Sequence, residues 1–166
     1  MIFRNLSANV VTLDLVANGK YSALRKIALN IAKSAEVDDH VVLRGLWERE
    51  SGRTNGIGRG IAIPHALLEP ISDPVASFTR LTVPIDFGSA DGHAVDLIFT
   101  LLWPRAAAVA FLPALAQLCR LLRASRIREG LRVARSADEV IAILDGDPRA
   151  IYWPVSEQPP TYVSVR

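Results

Sequence analysis

Hydrophobic positions along the chain follow two repeats, and the switches between them mark out the elements. Val10 to Leu15 alternates and predicts a short strand. After the break at Asn18-Gly19, Leu24, Ile27, Ala28 and Ile31 recur at helical spacing and predict a first helix. Asp38 or Asp39 suits the N-cap of a second helix running through about Glu50, with Val41, Val42, Leu46 and Trp47 turned inward. Ser51 to Gly60 carries Gly52, Gly56, Gly58 and Gly60 and predicts a loop, because no helix tolerates that density of unhindered backbone. Ile61-Ala62-Ile63 then predicts a buried strand that Pro64 ends or kinks, and Val75 to Val83 a strand with alternating exposure. Asp91-Gly92 turns the chain into Val95 to Trp103, apolar nearly throughout, which suits a central strand covered on both faces.

Beyond Pro104 the period becomes helical again, with Leu112, Leu115, Cys119 and Leu122 on one face. Two shorter helices follow at Ser125 to Val133 and Ser136 to Leu144, with Ser136 and Glu139 spaced as a capping box. Residues 1–147 therefore read as one domain, and 148–166, with four prolines and no helical period, as a surface tail. The order of strand, two helices, several strands and then helices predicts an α/β fold. Its sheet is mixed and partly antiparallel, sandwiched by helices, because links between the later strands are too short for helical crossovers.

Composition narrows the function classes. Nineteen basic against seventeen acidic residues leave a net charge of +2, too balanced for a nucleic-acid-binding chain. The arginines between Arg120 and Arg135 alternate with Leu, Ile and Val and read as solvated helix faces. One cysteine, Cys119, excludes an internal disulfide and the cysteine set of a structural zinc site. The N-terminal pattern is not that of a signal peptide, and no stretch approaches about 18 uninterrupted apolar residues. The expectation is a soluble, cytoplasmic protein with no membrane insertion and no metal or other cofactor; a homo-oligomer stays open.

Of the three histidines, His40 at a helix start and His93 after a turn glycine read as surface residues. His65 stands after a buried strand and a proline, downstream of the glycine-rich segment, and strand ends are where ligands meet α/β folds. A neutral imidazole offers a lone pair for attack on phosphorus at neutral pH. Phosphoryl transfer asks mainly for positioning and for neutralisation of oxygen charge. Gly56-Ile57-Gly58 can bring backbone N–H groups to an anion, Thr54 adds a hydroxyl, and Arg49 can supply a planar fork of donors. Each also has a plain structural reading: a tight turn for the glycines, a surface ion pair with Glu50 for Arg49. The segment matches neither the nucleotide-binding P-loop nor the dinucleotide fingerprint.

The run Arg49-Glu50, Gly56-Ile57-Gly58 and Gly60-Ile61-Ala62-Ile63-Pro64-His65 resembles the active-site signature of enzyme IIA domains of the fructose, mannitol and nitrogen-related class. The likeness continues through Pro84-Ile85-Asp86, Asp91-Gly92, Val95 to Phe99 and Leu115 to Leu118. It implies that His65 accepts a phosphoryl group from an HPr-type phosphocarrier and that Arg49 steadies it. It further implies a stand-alone, nitrogen-related regulator acting on a target protein. The alternatives are a sugar-specific enzyme IIA that passes phosphate to a IIB component, or a non-phosphorylated binding module on the same fold. Many members of the class carry a second histidine on the helix after the long apolar strand; the corresponding position is Phe111. Arg53, Asn55 and Ala66 also depart from the usual pattern.

Overall fold

The computed structural model describes residues 10–52 and 55–146. Strand β1 (Val11–Leu15) leads to helices α1 (Lys20–Ala35) and α2 (Asp39–Gly52), then short strands β2 (Gly56–Gly58), β3 (Ile61–Ala62) and β4 (His65–Leu68). The long strands β5 (Val75–Ile85) and β6 (Val95–Pro104) follow, then a 3-10 turn (Arg105–Ala107) and helices α3 (Ala108–Leu122), α4 (Ser125–Val133) and α5 (Ala137–Asp145). The sheet order is β1-β5-β6-β3-β2, with β4 also paired to β6. β1 and β5 run parallel, β5 and β6 antiparallel, β3 and β4 parallel to β6, and β2 antiparallel to β3. The expected mixed α/β sandwich is the observed architecture.

β6 is the spine, and its near-continuous apolar sequence follows from its place between two helical layers. Leu97, Phe99, Leu101 and Trp103 point into a core shared with α3, α4 and α5. Ile98 and Leu102 point the other way, toward α1 and α2. α1 buries Ala23, Leu24, Ile27, Ala28, Ile31 and Ala32, the stripe that its helical spacing predicts. The Ser136 hydroxyl caps α5 by accepting from the Glu139 N–H at 3.2 Å, and Glu139 in return accepts from the Arg135 N–H.

Three sequence expectations need correction. Trp47 is 38% exposed, where an inward position was expected, and meets Tyr21 edge-on across α1 and α2 at 5.0 Å. Residues 51–60 are not all loop: α2 continues to Gly52, and Gly56–Gly58 forms a strand against β3. On α3 the buried face is Phe111, Ala114, Leu118, Leu121 and Leu122, while Leu112 is 67% exposed. The sequence of α3 is apolar almost all round, so its periodicity could not fix the rotation. The helical segment Arg105–Leu122 is the one among the described residues long and apolar enough to cross a membrane, and here its buried side packs against β6.

Candidate functional site

The line of β3 and β4 along β6 is interrupted at Ile63-Pro64. Ile61 and Ala62 register with Leu97 and Ile98, and His65 resumes opposite Leu101. Pro64 has no N–H to donate but its carbonyl still accepts from Leu101, so the chain crosses the break and resumes against β6 in the same register. The His65 ring folds back on its own backbone, where Nδ1 lies 2.9 Å from the Ile63 carbonyl oxygen. The Ile63 N–H, in turn, donates to the carbonyl of Asn55.

Arg49, on the last turn of α2, donates from Nε to His65 Nε2 at 3.1 Å. An arginine Nε–H can only donate and a carbonyl can only accept, so these two contacts select one tautomer. Nδ1 carries the proton and Nε2 the lone pair. The ring is 7% exposed, and burial, the largest influence, holds its pKa below the ordinary histidine value. The bond to Ile63 and the charge of Glu50 pull the other way, while Arg49 adds to the lowering. His65 is therefore a neutral, oriented imidazole at neutral pH.

A cleft of about 520 Å³ opens over this pair, lined by Glu48, Arg49, His65, Arg105, Phe111 and Leu112 among others. Phe111 is 4% exposed; its ring lies 5.0 Å from that of His65, tilted by 40°, and 5.7 Å from the Trp103 ring. Trp103 is fixed by donating from its indole nitrogen to the Ala107 carbonyl at 2.9 Å. Arg105 was not singled out from the sequence. It pairs with Glu69 and bonds to the Leu67 carbonyl, and the sequence signal for it was only a basic residue just past the proline that ends β6.

Arg49, His65 and Phe111, far apart in sequence, thus share one cleft. Gly56, Ile57 and Gly58 are not among the residues lining it. Gly56 is tight against Ser89, where a Cβ would fall 2.2 Å from its hydroxyl, and Gly58 has a φ of 88° beside the Asp91 carboxylate. Thr54 and Arg53 lie outside the described residues. His40 is exposed, and His93 is exposed and paired with Asp91, as surface residues should be.

Residues 4–146 match the family model described as the EIIA 2 component of the phosphoenolpyruvate-dependent sugar phosphotransferase system. The chain belongs to this enzyme IIA family. It is 39% identical over 130 residues to a nitrogen regulatory protein of Bradyrhizobium diazoefficiens, covering 78% of this chain and 85% of the relative. It is 38% identical over 118 residues to a fructose-specific EIIA component of Haloferax volcanii, covering 70% of this chain and 77% of the relative. Among solved structures, nitrogen regulatory protein IIA-Ntr of Neisseria meningitidis superposes with a TM-score of 0.79 at 31% identity. That match covers 82% of this chain and 94% of the other. The mixed sheet and its helical layers are accordingly those of this enzyme IIA fold.

Proposed function

We propose that this enzyme IIA domain is a phosphohistidine carrier, with His65 Nε2 as the acceptor and an HPr-type phosphocarrier as donor, working as a nitrogen-related regulator. The observation that carries the reading is the fixed tautomer: Nδ1–H on the Ile63 carbonyl leaves Nε2 unprotonated, accepting from the Arg49 guanidinium at the edge of an open cleft. In the transfer, the Nε2 lone pair forms the new N–P bond as the N–P bond to the donor imidazole breaks, and that ring leaves with the electron pair. The proton on Nδ1 stays in place, and the Ile63 carbonyl stabilises the positive charge the ring acquires. Arg49 occupies the Nε2 lone pair beforehand, so it has to slide from ring nitrogen to phosphoryl oxygen, keeping a charge-assisted bond throughout.

Thr54 belongs to this proposal as a further phosphoryl contact in the complex with a donor, whereas Gly56, Ile57 and Gly58, which do not line the cleft, are left out of it. The likeness to nitrogen regulatory proteins of Bradyrhizobium and Neisseria supports a regulatory role exerted on a target protein. The likeness to the Haloferax fructose-specific EIIA component supports a second reading, delivery of phosphate to a IIB component. Incubation of the chain with phosphoenolpyruvate, enzyme I and an HPr-type carrier, followed by intact-mass measurement, tests the core claim. One acid-labile, base-stable phosphoryl group should appear, and His65→Ala should abolish it while His40→Ala and His93→Ala retain it. Labelling that survives His65→Ala would sink the assignment.

A further inference from the structure

A second cleft, of about 500 Å³, opens between β2 and the C-terminal half of α3. Ile57, 45% exposed, supplies the apolar surface of this cleft over a floor of buried Ile61 and Leu122, with the half-buried Cys119 beside it, and the exposed side chains of Arg59 and Arg123 stand at its rim. It shares no lining residue with the His65 cleft. Cys119 comes eight positions after Phe111 on α3, about 12 Å along a helix that rises 1.5 Å per residue.

The backbone beneath Arg59 is left-handed, with φ of 88°, 59° and 79° at Gly58, Arg59 and Gly60. Glycine or asparagine suits such a position; an arginine there costs about 1–2 kcal/mol. The backbone is pinned regardless of side chain, because the Arg59 N–H donates to Asp91 at 2.7 Å and its carbonyl accepts from Arg132 at 2.9 Å. Its guanidinium makes one long bond, 3.4 Å, to the Arg123 carbonyl. An arginine is thus kept at a strained point where it adds little to the fold, a pattern that accompanies function.

Cations also crowd this patch. Arg128 donates to the carbonyls of Leu122 and Arg123 and feels the charges of Arg59 and Arg132. Asp96, the half-buried carboxylate nearby, is taken up two-pronged by Arg132 at 2.7 and 2.8 Å, and Glu129 is exposed on α4. Among the described residues, the Arg123 guanidinium has no hydrogen-bond or ion-pair partner.

We propose that this cleft binds a small phosphomonoester with an apolar portion, its phosphate held between Arg59 and Arg123 and its apolar part against Ile57. Two planar guanidinium forks match the three terminal oxygens of a phosphate dianion better than the two of a carboxylate. The site needs no chemistry at His65, so it stands whether or not the phosphoryl-carrier reading does.

Cys119 is the chain's single cysteine and lines the cleft, so its alkylation by neutral iodoacetamide reports occupancy. With phenyl phosphate as probe, at fixed pH and ionic strength, alkylation should slow in the wild-type chain and equally in His65→Ala. Arg123→Ala and Arg59→Gly should each raise the half-protecting concentration about tenfold. Arg59→Gly relieves the left-handed strain, so its melting temperature should not fall while its protection is lost. No slowing by phenyl phosphate, protection undiminished in both arginine variants, or protection lost in His65→Ala would each overturn the proposal. So would protection by phenol alone, or equal protection by inorganic phosphate, which would remove the phosphate or the apolar surface from it.

Discussion

Arg49 and Glu50 are neighbours on α2, carry opposite charges and face different worlds. Glu50 is buried; its side chain is 1% exposed, pairs with Lys20 Nζ at 2.8 Å and accepts from the Asn55 side-chain amide. Asn55 passes the connection on through its carbonyl to the N–H of Ile63, two residues before His65. Arg49 reaches into an open cleft with its hydrogen bond to a histidine nitrogen. One residue is enclosed among partners that fix the chain; the other is held by a bond that can be exchanged. Adjacent polar residues of similar size therefore divide into a clamp and a contact, and the division is made by the helical twist of about 100° per residue.

The largest loss is expected at Glu50. Glu50→Ala strands Lys20 and Asn55 around a buried gap and should cost about 2–4 kcal/mol, discounted from a fully enclosed pair because Lys20 is a quarter exposed. Chemical denaturation measures it, and an unchanged midpoint would show that the buried network adds nothing. Arg49→Lys should do the reverse: transfer from the phosphocarrier slows about tenfold or more while the melting temperature stays within a degree or two. A marked loss of stability with intact transfer would make Arg49 a second clamp.

Phe111 lines the same cleft as Arg49. A phenyl ring packed on His65 cannot donate to a phosphoryl oxygen and excludes water that could solvate it. Phe111→His should raise the rate or extent of phosphorylation up to about tenfold, at a stability cost of about 1–3 kcal/mol from lost packing against Trp103. Unchanged phosphorylation with a lower melting point would count against a role for this position in transfer.

The smallest effect is on pH. Burial depresses the His65 pKa in the folded state. The unfolded chain therefore binds the proton first as pH falls, and stability is lost from about pH 6.5 down through the folded value, not above it. Transfer should stay flat from pH 8 into the range where an ordinary histidine is already protonated. His65→Gln should remove that part of the acid dependence of unfolding, and an unchanged profile would contradict it.

Much of the fold could be read from the sequence because its strongest signals have a single physical meaning. The β6 run has no polar side to expose, α1 has one clean apolar stripe, and Ser136 with Glu139 marks a helix start. The failures came where a signal was satisfied in more than one way. α3 offered apolar residues in every direction, so its buried face was misassigned by about one residue. Trp47 is apolar, but Tyr21 provides it a partner at the surface. Asn55 stood out only as a departure from a pattern, whereas in the fold its carbonyl and amide tie α2 to the strand before His65. Arg49 and His65 were legible as chemistry from their types and setting. That they meet through Nε and Nε2, and that the ring's other nitrogen is tied to Ile63, depends on how α2 packs beside β4, which no spacing rule specifies.

The anchoring of His65 sets how a phosphorylated form would be told apart from the bare one. The Pro64 carbonyl, and the β4 ladder after it, keep His65 bound to β6. A group attached at Nε2 is consequently carried by a rigid strand, and accommodation falls to the Arg49 side chain, whose rotamers interconvert on a picosecond to nanosecond scale. The expected outcome is two forms with superimposable backbones and different fields. A partner that distinguishes them reads charge, and its association rate with the two forms should converge as salt is raised past the point where the Debye length drops below about 8 Å.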